Sequence, residues 1–399
     1  MIRTQAVAIA LSIVGLAAEF CRAQAPLAVG HHDTSFLQGS GFGTTYVQTH
    51  LVYPSVVGGL NAPVAPNPNG WPVIVWLHGF GLWGQHYQNL GEAWARAGFL
   101  VVQLDTGIWD HQALTFDGQS VFHGLVAANL QDDHILAGAI DPQRIALAGH
   151  SMGGGCIANV LAANPGYRCA FAFAPVDPGA ASAAQVTIPF GIAVGGGDPV
   201  TPWWVHSLPY YTEARPQHGL KTCYVMNAGC DHMNLVGLSG SNDPYFRRAL
   251  SVSTGFLRHY LGIDSKGLEK CIGPTALAAP ECWTSLKQAV QPQIWAAAPL
   301  RLGTTVRVSV ALEQGPSGIL AANSISPGIT TSLGTLLLDP ATMFMWTAEN
   351  VDRIGRVDAY LTTPNHPILL GFTVAMQAVG TTPAITLELG TATQLVVGN

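Results

Sequence analysis

Short runs that are almost entirely apolar recur along the chain at 73–77, 99–105, 145–149, 170–174, 190–194 and 223–226. An apolar run without polar alternation reads as a strand covered on both faces. Between them, residues 85–97, 120–137, 152–163 and 245–261 place apolar side chains at helical spacing. From Tyr46 to about Leu261, strand-like and helix-like stretches therefore alternate, which predicts an α/β fold with a doubly wound, mostly parallel sheet. After Cys282 the period changes to two. Val306, Val308, Val310 and Leu312 alternate with Thr305, Arg307, Ser309 and Ala311. Leu370, Phe372, Val374 and Met376 repeat the pattern, as do Ile385, Leu387 and Leu389. Gly315-Pro316-Ser317, Ser326-Pro327-Gly328 and Asn365-His366-Pro367 punctuate these runs, so the region should be a small all-β, sandwich-like domain. The predicted division is a signal peptide at 1–23, an α/β domain at 26–290 and a β-sandwich-like domain at 291–399.

Composition narrows the reading. Charged residues form 10% of the chain, against about 25% in a typical domain, and hydrophobic residues form 48%. Net charge is -6 without any run of Lys or Arg, so the phosphate-neutralising surface of a nucleic-acid binder is not supplied. At the N-terminus, Arg3 precedes an apolar stretch at 6–18, and small residues Ala23 and Ala25 follow. That is the form of a secretory signal cleaved after Ala23, and it is shorter than the ~20 residues of a membrane span. A secreted protein, extracellular or periplasmic, is expected. Six cysteines remain, Cys156, Cys169, Cys223, Cys230, Cys271 and Cys282, and an oxidising compartment permits disulfides. His31-His32-Asp33 reads as a solvated polar segment, and no metal is assigned.

Gly149-His150-Ser151-Met152-Gly153 follows an apolar strand and opens a helix, the setting of a nucleophile elbow. Glycines are needed two residues either side of the serine, where side chains would collide with the neighbouring strand and helix. A serine hydroxyl needs an imidazole to take its proton and a carboxylate to orient that imidazole. Asp198 follows the run 190–194 in a Gly195-Gly196-Gly197 turn, and His232 follows 223–226, so both fall at the strands' carboxyl edge. Asp177 is the alternative acid; His206, His218 and His259 lack a preceding strand. The oxyanion donors would be the backbone N–H groups of Met152 and of Phe80, in His78-Gly79-Phe80-Gly81.

With these residues the chain resembles the bacterial cutinase and polyester-hydrolase branch of the α/β hydrolases, including enzymes acting on polyethylene terephthalate. The resemblance covers roughly Tyr46 to Cys282. Its carriers are His78-Gly79-Phe80, residues 97–102 leading to Asp105-Thr106, residues 149–155, Asp198-Pro199-Val200-Thr201-Pro202 and His232. It implies an ester hydrolase without a lid domain, with a shallow cleft, no cofactor, and a disulfide between Cys271 and Cys282. One departure concerns the cleft: Val176 stands where the family carries a tryptophan. Trp83, Trp109, Trp203 and Trp204 are candidates to restore apolar area there. The function implied is a serine ester hydrolase of cutinase or polyesterase type. A carboxylesterase or lipase for small or lipid esters is the nearest alternative, and a binding protein on a hydrolase scaffold a more distant one. The C-terminal region would serve to attach the chain to a polymer or cell surface.

Overall fold

The computed structural model describes residues 27–38, 45–164, 166–312, 315–351, 356–381 and 387–399. The expected signal segment 1–23 and Ile385 lie outside the described residues. The chain runs through β1 (Ala28–Gln38), β2 (Thr45–Ser55), β3 (Gly59–Leu60), β4 (Trp71–Leu77), α1 (Gln88–Arg96), β5 (Leu100–Leu104) and α2 (His111–Ala128). Then come β6 (Ile140–His150), α3 (Met152–Ala163), β7 (Cys169–Phe173), α4 (Ala180–Ala183), β8 (Phe190–Val194), α5 (Ser207–Glu213) and β9 (Leu220–Met226). Helices α6 (Pro244–Tyr260), α7 (Gly267–Ile272) and α8 (Pro274–Leu277) lead to β10 (Cys282–Ala289).

These ten strands form one sheet in the order β10-β9-β8-β7-β6-β4-β5-β2-β1-β3, parallel from β5 through β9 and antiparallel at β2 and β10. Adjacent residues of β4 show how both faces are covered. The Trp76 ring meets Tyr87 and Trp94 on the α1 side, at 4.9 and 5.5 Å. A Cβ on Gly118 of α2 would lie 3.1 Å from Leu77 Cδ2. Successive strand residues point to opposite faces, so α1 and α2 cover opposite sides. Strand order reverses direction at β4 and β6, and crevices of open α/β sheets form at the carboxyl ends of such a pair.

Three expectations are corrected here. The helix expected at 120–137 is α2, which starts at His111 because the Asp110 side chain accepts hydrogen bonds from the N–H groups of Gln112 and Ala113. The solvated reading of His31-His32-Asp33 holds only in part: Asp33 is exposed, but the three residues lie in β1, paired along its length with β2, where His31 is half-buried and stacks on His50 at 5.4 Å. The Cys271–Cys282 bridge is absent. Cys271 is buried on α7 with its thiol 3.0 Å from the Val252 carbonyl oxygen of α6, whereas Cys282 opens β10 at the sheet edge; all six cysteines among the described residues are free thiols.

The remaining strands are β11 (Gln293–Ala296), β12 (Thr305–Ala311), β13 (Gly315–Ala322), β14 (Ile325–Thr331), β15 (Gly334–Leu338), β16 (Phe344–Val351), β17 (Arg356–Thr362), β18 (Thr373–Thr381) and β19 (Leu387–Val396). They make antiparallel sheets β11-β12-β17, β16-β13-β18-β19 and β14-β15, an all-β C-terminal region. Val308, Val310, Ile319, Val357 and Met376 close a core shared by the first two sheets, as sandwich packing requires. The strand expected from Leu370 begins later, at Thr373, because Pro367 opens a 3-10 turn that leaves Leu370 and Phe372 exposed. Trp295 of β11 leaves this core for the larger one: it is fully buried there, with Nε1 donating to Glu269 Oε2 at 2.9 Å.

Candidate active site

Ser151 joins β6 to α3 at φ 55 and ψ -117, a conformation that costs a non-glycine residue roughly 1–3 kcal/mol. The flanking glycines permit it. A Cβ on Gly149 would lie 2.6 Å from the Gly153 carbonyl carbon, and one on Gly153 would run into the Leu77 carbonyl oxygen. The turn is fastened by Ser151 N–H to the Phe173 carbonyl at 2.9 Å, and by Gly155 and Val176 N–H groups to the Ser151 carbonyl at 3.1 and 3.0 Å.

Asp198 and His232 meet in the structure. His232 Nδ1 donates to Asp198 Oδ2 at 2.7 Å, and both side chains are buried. Asp198 Oδ1 accepts from the N–H groups of Val200 and Thr201 at 2.8 and 2.9 Å, and the Thr201 hydroxyl lies 2.8 Å from Oδ2. Burial alone would raise this carboxyl, but the hydrogen bonds from His232 and Thr201 outweigh it and hold the group below its usual range. With Nδ1 committed to the carboxylate, Nε2 is the ring nitrogen left to act on a hydroxyl. Asp177, the alternative acid, instead accepts from Gly179 N–H and has its own N–H on His206 Nδ1. His218 is exposed, and His259 lies on α6.

His150, inside the elbow, ties the parts together. Its Nε2 donates to the His232 carbonyl at 3.1 Å and its ring packs at a tilt against His232, with centroids 4.6 Å apart. The Tyr87 hydroxyl donates to His150 Nδ1 at 2.9 Å and accepts from Gly79 N–H at 2.8 Å. Burial, then the neighbouring His232, pushes the His150 imidazole down to about 3, so it is neutral. The Gly79-Phe80 loop after β4, the elbow and the His232 loop are thus one hydrogen-bonded unit. Sequence reasoning missed Tyr87, His150 and Thr201. Only the last left a signal, in the Asp-Pro-x-Thr turn whose aspartate accepts from the two N–H groups ahead of it.

Met152 opens α3, where first-turn N–H groups have no helical acceptor. Gly79 abuts the serine, since a Cβ there would lie 3.4 Å from Ser151 Cβ, and this carries Phe80 to the same edge. Phe80 and Trp109 stand 60% and 65% exposed with rings edge to face at 5.2 Å. Val176 is half-buried beside α3. Trp203 packs edge-on to Trp204 at 6.4 Å, past Asp198. Trp83 lines a recess of about 620 Å³ with Gln85, His86 and Asp105. Among the described residues no three His, Cys, Asp or Glu side chains are placed to hold a metal ion.

The comparisons bear on the same stretch of chain. The sequence model of a family described as PETase, PET hydrolase-like, matches residues 19–251, a span that includes Phe80, Ser151, Asp198 and His232. No curated protein matches the chain.

Proposed function

The chain belongs to the PET hydrolase-like family and is a hydrolase of the α/β type acting on esters, with polyester as the fitting substrate; from that premise we propose that it is a secreted serine esterase working through Ser151, His232 and Asp198. The observation that carries the proposal is the 2.7 Å bond from His232 Nδ1 to Asp198, at the same strand edge as a serine held at φ 55. Ser151 Oγ attacks the acyl carbon as His232 Nε2 takes its proton, and Asp198 stabilises the imidazolium. The oxyanion of the tetrahedral intermediate rests on the N–H groups of Phe80 and Met152, each donor worth about 3 kcal/mol of barrier. Collapse expels the alcohol with the proton from His232 and leaves an acyl-enzyme. Water, deprotonated by the same histidine, then releases the acid.

Phe80 and Trp109 offer an exposed apolar wall for an extended chain, while Val176 offers no ring for an aromatic acyl group to stack on. Aliphatic polyesters should therefore be cleaved faster than aromatic ones. Wild-type protein should take a fluorophosphonate label and release soluble acid from polycaprolactone film faster than from polyethylene terephthalate film. Ser151→Ala should do neither. Labelling that survives in Ser151→Ala refutes the nucleophile, and brisk cleavage of short soluble esters without release from either film would place the chain among small-ester carboxylesterases.

A further inference from the structure

Trp283 interrupts the pairing of β10 with β9. Cys282 is opposite Met226 and Thr284 is opposite Val225, so Trp283 is the extra residue of a β-bulge. Bulges re-aim side chains, and this one turns an indole out of the sheet edge to 60% exposure. The ring settles on the turn that leads to Asp198: a Cβ on Gly196 would lie 3.0 Å from Trp283 Cε3. There it packs edge-on to Trp203 at 6.2 Å, and Trp203 in turn to Trp204, itself 57% exposed. Val200 and Val205 beside them are 60% and 50% exposed. Two exposed indoles bridged by the half-buried Trp203 are an unusual expense of apolar surface unless something covers them.

Their place in the sheet says what covers them. Ser151 leaves β6; the Gly196 turn on which the indole rests leaves β8, two strands or about 10 Å away at the usual strand spacing of ~4.8 Å, and β10 itself lies four strands away, about 19 Å. The platform continues the Asp198 loop away from the serine, on the side opposite Phe80 and Trp109, whose loops leave β4 and β5. Resting on the esterase reading above, the geometry points to a distal holding site in which Trp283, with Trp204, grips an apolar stretch of the same polyester chain whose ester lies at Ser151. A p-nitrophenyl butyrate molecule is too short to touch both places. The platform therefore contributes to polymers and long oligoesters and to nothing smaller.

The test separates the two readings. Trp283→Ala should hydrolyse p-nitrophenyl butyrate at the wild-type rate, which also reports intact folding. Its release of acid from polycaprolactone film should fall roughly three- to tenfold, the loss expected from one indole's apolar contact. Trp283→Phe should recover part of the loss. Film retention is measured in the Ser151→Ala background, so it reads the platform even if the serine is not the nucleophile; adding Trp283→Ala should weaken retention by a similar factor. Unchanged film release and retention in Trp283→Ala would overturn the inference. So would a concentration-dependent dimer that Trp283→Ala abolishes without effect on film, since the indoles would then meet a second copy of the chain.

Discussion

Asp198 and His150 show how single residues are set by what surrounds them. Asp198 keeps its charge because donors from His232, Val200 and Thr201 repay its burial. Asp198→Asn should lower turnover on the order of 10⁴-fold, through loss of imidazolium stabilisation and a disturbed tautomer, while Asp177→Asn stays near wild type; the reverse pattern in ester kinetics would hand the role to Asp177. His150 and His259 are both pushed down by burial, to about 3 and about 4. Unfolded histidine protonates near 6.5. Between these values the unfolded chain binds more protons than the native one, so native stability is full above about pH 6.5 and falls as pH drops towards 4. Each histidine contributes about 1.4 kcal/mol per pH unit in that window. Denaturant titrations across it should show a steeper acid loss for wild type than for His150→Gln, by about one proton. Equal slopes would mean that His150 is protonated in the native chain.

At the scale of elements, β4, β6 and α3 approach so closely that backbone meets backbone. Gly153 sits against the Leu77 and His78 carbonyl oxygens, and Gly149 against Gly153. Gly153→Ala should therefore separate β4 from α3 and displace Ser151 and the Phe80 loop together, lowering the melting temperature by several degrees and abolishing ester turnover. A variant that melts like wild type with normal turnover would show that the elbow has slack. The element boundaries follow similar local chemistry. Residues 190–194 and 152–163 are read correctly from apolar pattern alone, because each is bounded by glycine or by a strained turn. α2 begins nine residues before the apolar pattern predicts, because its start depends on the Asp110 cap.

For the whole molecule, the family match ends at residue 251, yet the large sheet does not close until β10. The C-terminal strands are then locked to it by Trp295 and by an ion pair of Arg307 with Glu269 at 2.5 Å. The chain should unfold in one calorimetric transition. Trp295→Ala removes a fully buried indole, a loss of about 3–5 kcal/mol, and should split that transition in two. A wild-type chain already melting in two steps would mean that the two cores are independent.

Periodicity and short-range motifs determined what depends on neighbouring residues. The apolar runs gave the α/β class, and the period of two after Cys282 gave the all-β region. The glycines around Ser151, and the turns carrying Asp198 and His232, marked a common strand edge. Tertiary structure alone decided which groups meet across long separations. The Tyr87–His150–His232 chain joins residues 63 and 82 positions apart, and Trp283 reaches the Asp198 turn only through a bulge on an antiparallel strand. The free thiol of Cys271 is of the same kind, since α7 sets it against the Val252 carbonyl of α6. The reason is physical: spacing along a chain fixes which face a side chain occupies, whereas a contact also needs the packing that brings two faces together.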